Sequence, residues 1–216
     1  MAVAFFDMDG TLVDGDTNDL SLRYFIEHGL ANKERYTKLH HYAQMFFEGV
    51  LDINTFIKFA VEPLVGINKD KLNAILDDCV KTMILPRIKK GAKEAIEFHK
   101  QRGDISLIVT STMDYLVEHI AKGVGIDHII AAPMEKIDGV LTGRQAGLVP
   151  FQGDKVVRIQ DFIQKHGLNL KDSYAYGDSV NDLPMLLLCE NRFAIDPNEK
   201  LIQHPDFNKL IQKSWI

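Results

Sequence analysis

The sequence predicts an α/β fold: a doubly wound parallel sheet with a small helical domain inserted after the first strand. Three observations carry that expectation. Five short apolar runs recur along the 216 residues, each followed by a polar or glycine-rich turn. Amphipathic patterns at helical spacing fill most of the intervals between them. From about Asp16 to Leu85 the alternation stops, and only helical patterns remain.

The elements follow in order. Val3–Phe6 is the first strand and runs straight into Asp7 and Asp9. The insert then shows helical patterns at about 17–29, 31–48, 52–62 and 68–82, with breaks at Gly29, Gly49 and "VGINKD". After it, "KKGAKEAIEFHK" sets Ala92, Ala95, Ile96 and His99 on one helical face. Residues 105–110, "ISLIVT", form the second strand because they are rich in β-branched residues. Residues 128–132 form the third. Asp138-Gly139, between two β-compatible runs in 134–147, is a hairpin signal. A helix over 153–166 ends at Gly167. Residues 173–177 and 192–195 supply the last two strands, and "LPMLLLC" between them reads as the buried face of a helix. The division this implies is residues 1–13 and 85–216 as the α/β core, with 14–84 as a helical cap.

Bulk properties narrow the function. Hydrophobic residues make up 46% and charged residues 25%, as in ordinary globular proteins. A net charge of −5 argues against nucleic acid as a partner, since that needs a basic surface to replace counterions. No stretch approaches the roughly 18 apolar residues of a membrane helix. "MAVAFFDMDG" lacks the basic flank and long apolar run of a signal peptide. Cys79 and Cys189 make neither a disulfide framework nor a metal pair, so a reducing cytoplasm is the expected location.

Polar residues with chemical potential follow three of the strands. Asp7 and Asp9 follow the first, Thr110 and Ser111 the second, and Asp178 and Asp182 the fourth. Ligands of parallel α/β sheets bind at the carboxyl ends of strands, so these residues are expected in one cleft. Lys155, at the start of a helix, can add a positive charge. Two unit charges about 4 Å apart repel by about 4 kcal/mol at an effective dielectric near 20. Protonation or a bound cation relieves that repulsion. The oxygen-only set Asp7, Asp9, Asp178 and Asp182 suits Mg²⁺, which commonly binds carboxylates together with a substrate phosphate. A carboxylate beside Mg²⁺ can attack phosphorus and form an aspartyl phosphate. Asp9 can serve as acid toward the leaving oxygen and then as base toward water. The Thr110 hydroxyl and backbone N–H groups after Asp9 can hold phosphoryl oxygens, with Gly10 making the turn.

"DMDGTL", "IVTS", Lys155 and "GDSVND" resemble, in order, the four motifs of the haloacid dehalogenase superfamily. The long interval between the first two resembles members with a helical cap there. The remaining spacing is similar to the phosphoserine-phosphatase-like branch, subfamily IB. The resemblance implies a Rossmann-like core and a phosphatase acting on a small phosphorylated metabolite. It implies Asp7 as nucleophile, Asp9 as general acid/base, Thr110 as phosphate anchor and Lys155 as charge partner. Asp7, the Asp9 main-chain oxygen and Asp178 would hold Mg²⁺. Asp182 would orient a metal-bound water or Lys155, and Asn181 would lie near the phosphate with Ser111.

Two positions bear on the substrate. Asp16 stands where phosphoserine phosphatases carry a Glu that faces the substrate amine. Ala60 stands where their cap carries an Arg for the carboxylate, a bidentate contact that alanine cannot make. Asp16 as a substrate contact therefore suits a cationic or polyhydroxylated group. The missing Arg argues against phosphoserine itself, and relatives that cleave histidinol phosphate make an amino-bearing phosphomonoester, histidinol phosphate or a phosphoserine-like compound, the expected substrate. Asp16 competes for a second role as a helix N-cap. His40 and His41 point about 100° apart on a helix and read as polar surface or cap-cleft residues. Residues 45–47, "MFF", read as cap core, and Arg23 and Arg144 as surface ion pairs. The rival activities are phosphoryl transfer to an alcohol and a phospho-accepting receiver module; the second acid, Asp9, argues against the receiver.

Overall fold

The computed structural model describes residues 2–47 and 50–216. The expected break at Gly49, and the expectation that Phe46 and Phe47 pack in the cap core, lie outside what is described. Strands β1 (Val3–Phe6), β2 (Ile105–Met113), β3 (His128–Ala132), β6 (Tyr174–Gly177), β7 (Asn191–Ile195) and β8 (Ile211–Lys213) form a parallel sheet. Its order is β3-β2-β1-β6-β7-β8. Alternate residues of β1 supply opposite faces, as the period of two requires. Ala4 and Phe6 join the apolar cluster containing Ile108, Ala92 and Ile96. Val3 and Phe5 join the one containing Leu107, Ile130, Ile159 and Met185. Thus helices α5 (Lys90–Gln101) and α6 (Asp114–Val124) cover one face, and α7 (Gly153–Lys165) and α8 (Leu183–Leu188) the other.

Strand β1 pairs with β2 on one side and β6 on the other. The order reverses between β1 and β6, which puts a crevice at their carboxyl ends. There the chain places Asp7 and Asp178.

The insert contributes α1 (Thr17–Glu27), α2 (Glu34–Phe47), α3 (Ile53–Val61) and α4 (Lys69–Cys79), the last continued by a π-helical turn, Val80–Ile84. Asp16, Asp52 and Asn68 cap α1, α3 and α4 by accepting from the first-turn N–H groups. Gly29 and Gly66, both at positive φ, end turns where the sequence places breaks. Buried Leu20, Phe25, Ile57 and Leu76 of these helices continue the apolar cluster on the Phe6 face of the sheet. The two ends of the insert are joined: Asp14 N donates to Arg87 O at 2.8 Å, and Lys89 N to Leu12 O at 3.0 Å.

The hairpin of β4 (Met134–Ile137) and β5 (Val140–Gln145) turns at Asp138-Gly139, with φ of 52° and 79°. Both positive values match the two-residue turn that Asp-Gly favours. The insert rests on it through Gly66 N, which donates to Leu141 O at 3.2 Å. His99 is buried, as its place on the apolar face of α5 requires. Its Nδ1 lies 2.9 Å from Asp104 Oδ2 and its Nε2 2.9 Å from the Tyr176 hydroxyl. Cys79 and Cys189 are free and buried.

Two departures from expectation matter. Strand β2 runs on to Met113, past the anticipated end at Thr110, and its register with β3 shifts between Val109 and Met113. Such a bulge re-aims side chains. Strand β8 was not expected; "IQK" is exposed throughout and carries no alternation that would mark a strand.

Candidate active site

Asp7 begins where β1 ends, its N–H donating to Tyr176 O on β6 at 2.9 Å. Lys155 crosses from the opposite layer, where it opens α7. Its Nζ donates to Asp7 Oδ1 at 2.7 Å, to Asp182 Oδ1 at 2.5 Å and to Val109 O at 3.1 Å. The lysine is 3% exposed and Asp182 1%. Burial alone would lower the lysine pKa, but Asp182 and Asp7 raise it above its ordinary value, so the ammonium is charged. Two glycines make the approach possible. A Cβ on Gly10 (φ +81°) would lie 2.6 Å from Asp178 Oδ2, and one on Gly177 2.5 Å from Asp182 Cβ.

Asp7, Asp178 and Asp182 each offer an oxygen within 4.8 Å of the others. Burial first, then Asp182, pushes the Asp178 carboxyl up to about 7. Burial and Asp182 likewise raise Asp7, against the pull of Lys155. Two buried carboxylates and one half-buried, crowded together and served by one close lysine, fit a hard divalent cation.

One of the four expected metal carboxylates lies apart from the other three. Asp182 commits both oxygens: Oδ1 to Lys155, and Oδ2 to the Ser179 N–H and hydroxyl at 3.1 and 2.9 Å. Asp182 therefore holds Lys155 and also belongs to the acidic cluster with Asp7 and Asp178. The Asp9 carboxylate is outside the cluster, so only its main-chain oxygen remains for a metal role.

Asp9 Oδ1 accepts from Thr17 N at 2.6 Å and Oδ2 from Thr112 Oγ1 at 3.0 Å. These bonds join it to the first turn of α1 and the β2 bulge. Burial first and Asp16 second push its carboxyl up to about 6, while the Thr17 and Thr112 bonds hold it down. Its neutral form thus persists to higher pH than an ordinary aspartic acid's, the form needed to protonate a leaving group. With an alkyl phosphate, kcat/KM should fall as pH rises through about 6. A nitrophenyl ester, whose leaving group needs no proton, should show a flatter profile. Asp16→Asn keeps a good cap and removes the charge, so the falling limb should move to lower pH. An unmoved limb would separate Asp16 from Asp9.

Residues 4–187 match the family model of haloacid dehalogenase-like hydrolases. This chain belongs to that family. It is 29% identical over 204 residues to a histidinol-phosphatase of Neisseria meningitidis, covering 92% of each chain. A crystal structure of a Bordetella pertussis protein of unknown function superposes with a TM-score of 0.90 at 27% identity, covering 100% of this chain and 99% of that one. A phosphoserine phosphatase, solved as an analogue of its phospho-aspartyl intermediate, superposes with a TM-score of 0.67 at 25% identity, covering 98% and 91%. The family, with the histidinol-phosphatase and the phosphoserine phosphatase, supports a phosphomonoesterase activity for this hydrolase.

Of the other residues expected at this hydrolase's site, Thr110 is buried, and its Oγ1 accepts from Thr112 N at 3.1 Å. Ser111 follows it, half-buried. Asn181 lies toward Gln152, whose Nε2 is 3.4 Å from its Oδ1. Asp16 is exposed, and its Oδ1 accepts from Asn18 N and Asp19 N, so its carboxylate is engaged as the α1 cap. The N–H of Gly10, one of the backbone donors expected to hold phosphate, is turned to Val13 O and Gly15 O. Arg23 pairs with Asp19, and Arg144 with Glu135, as surface ion pairs. His40 also pairs with Asp19, at 3.2 Å. Thr112 and Lys89 were missed. Thr112 carries a faint signal, a second hydroxyl two positions after Thr110; Lys89 carries none, standing beside a second lysine at a helix start.

Proposed function

We propose that this chain is a Mg²⁺-dependent phosphatase that hydrolyses a small, amino-bearing phosphomonoester through a phosphorylated Asp7. The observation that carries the reading is Lys155 bridging Asp7 and Asp182 beside Asp178, with a separate raised-pKa acid, Asp9, turned toward the insert. Lys155 occupies Asp7 Oδ1, which leaves Oδ2 to form the new bond to phosphorus. As that bond forms, the ester P–O bond breaks, and the Asp9 proton passes to the departing alkoxide. Ionised Asp9 then takes a proton from water, whose oxygen attacks phosphorus; the acyl–phosphate bond breaks and Asp7 is restored. Asp7, Asp178 and the Asp9 main-chain oxygen would hold Mg²⁺, whose charge would offset the approach of carboxylate to phosphoryl oxygens. Thr110 is the candidate hydroxyl for those oxygens.

A cavity of about 10 Å³ lies on the insert side, lined by residues including Asn18, Arg35, Phe59, Ala60, Met113 and Tyr115. Asn18 and Met113 are neighbours in sequence of Thr17 and Thr112, the two residues that hold Asp9. Asn18 Oδ1 and Arg35 Nε are buried without a partner, offering one acceptor and one donor. Arg35 otherwise pairs with Glu62 at 2.6 Å and stacks over Phe59. A leaving alcohol with both an ammonium and an acceptor suits this lining, as in histidinol phosphate or phosphoserine. The space holds about one water, so the insert must part to admit substrate.

A screen of histidinol phosphate, phosphoserine and nucleoside monophosphates tests the substrate class; preference for the nucleotides would refute it. A generic aryl phosphate should be hydrolysed with Mg²⁺ and lose all measurable turnover in excess chelator. Equal rates in both would remove the metal role. Product analysis with added alcohols separates hydrolysis from transfer. Among the described residues no helix is long and apolar enough to cross a membrane. The free buried thiols fit the cytoplasmic location we propose.

A further inference from the structure

Lys89 lies outside the four family motifs, yet its side chain is only 5% exposed. Its Nζ donates to Gly10 O at 2.5 Å and to Asp196 Oδ2 at 3.0 Å. Its own N–H donates to Leu12 O at 3.0 Å. One residue thus grips the turn after Asp9 with both main chain and side chain. The far face of that turn is in contact with the site, because Gly10 packs directly on the Asp178 carboxylate.

Asp196 is held in place in turn. Its backbone is at φ +41°, a conformation that costs energy for a residue with a Cβ. Its Oδ1 accepts from Ser214 Oγ at 2.6 Å, its Oδ2 from Trp215 N at 3.1 Å, and its N–H donates to Lys213 O at 2.9 Å. Trp215 is buried beneath Gly91, where a Cβ would come within 2.2 Å of the indole. A buried ion pair is poor value as a stabilising device, since desolvation offsets much of its attraction. Its cost here is coupled to a fixed location for one carbonyl in the catalytic turn.

We propose that Lys89, set by Asp196 and the Ser214–Trp215 segment, is a positioning residue that fixes the Asp9–Gly10 turn relative to Asp7 and Asp178. The inference rests on the phosphatase reading. Misplacement of a reacting group by about 1 Å can cost roughly 10²-fold in rate.

The experiment uses the full chain with an aryl phosphate, Mg²⁺ and orthovanadate as a phosphoryl mimic, on Lys89→Met, Lys89→Arg, Asp196→Asn and the Met/Asn double variant. Lys89→Met should lower kcat by roughly 10²-fold with a smaller change in KM. Lys89→Arg should recover most of it. Asp196→Asn should lower kcat in the same direction, and the double variant should be no slower than Lys89→Met, since the two act as a unit. The vanadate inhibition constant should rise in step with the fall in kcat/KM; a purely structural role would lower Tm without moving it. A folded Lys89→Met with unaltered kcat and vanadate inhibition overturns the proposal, as do single effects that multiply in the double variant. If Lys89→Met does not fold, Asp196→Asn decides, and unaltered kcat there overturns it. An inactive wild-type protein overturns the phosphatase reading and this inference together; an active one with unaltered variants overturns this inference alone.

Discussion

Asp7→Asn is expected to lower turnover by at least about 10⁴-fold, the scale of losing a covalent nucleophile. The amide preserves shape, but it cannot attack phosphorus and return as a carboxylate. Stability should behave differently. Burial and the neighbouring Asp182 and Asp178 raise the Asp7 pKa well above its ordinary 3.8. A carboxyl raised in the folded state makes ionisation a cost, and that cost appears as pH climbs above 3.8. The asparagine variant escapes it, so in chelator its Tm should compare better with wild type at pH 8 than at pH 4. Lys155 keeps Asp182 and Val109 O as acceptors, so the fold retains its central cation. Mg²⁺ should raise the wild-type Tm more than the variant's. Turnover within tenfold of wild type would rule Asp7 out as the nucleophile.

Lys155→Met should damage both activity and stability. The ammonium is buried and supplies a bond to each of two buried carboxylates. Removing one member of such a group leaves uncompensated charge and typically costs about 3–5 kcal/mol. For a chain of this size that corresponds to a Tm lower by about 10 °C. The lysine pKa is raised in the fold, so its stabilising contribution is fully present below the ordinary value of 10.5 and the loss should be seen throughout neutral pH. Mg²⁺ should restore part of the Tm, because a cation near Asp7 and Asp178 relieves the same repulsion. It should not restore turnover, since Asp7 Oδ1 and Asp182 Oδ1 would no longer be held by one donor. Lys155→Arg is a poor substitute: a planar fork does not reproduce three bonds converging on a point. A Met variant with wild-type Tm in chelator would show that the bridge contributes nothing to the fold.

Much of this architecture was legible because its signals are local. The β1 run and the residues 128–132 mark strands by composition, and Asp138-Gly139 marks a hairpin by the positive φ that both positions tolerate. Asp7, Asp9, Asp178 and Lys155 could be picked out because each stands next to an apolar run or a helix start. The failures share a cause. The β2 bulge has no period that announces it, so Thr112 passed unnoticed although its hydroxyl holds Asp9. Asp16 had two roles open to it, and one of them, the α1 cap made by Oδ1, is seen in the structure. Nothing along the chain shows that Asp9 turns its carboxylate to Thr17 and Thr112, apart from the cluster of Asp7, Asp178 and Asp182.

The amino-acid order alone determined which groups can react and on which strand ends they sit, because strand periodicity and turn chemistry are short-range properties. Only the folded chain decided which carboxylate oxygens are engaged and by what, which acid faces the insert, and that Lys89 grips the catalytic turn. Those outcomes depend on strand register and on the reversal between β1 and β6, which bring side chains more than a hundred residues apart within hydrogen-bond distance.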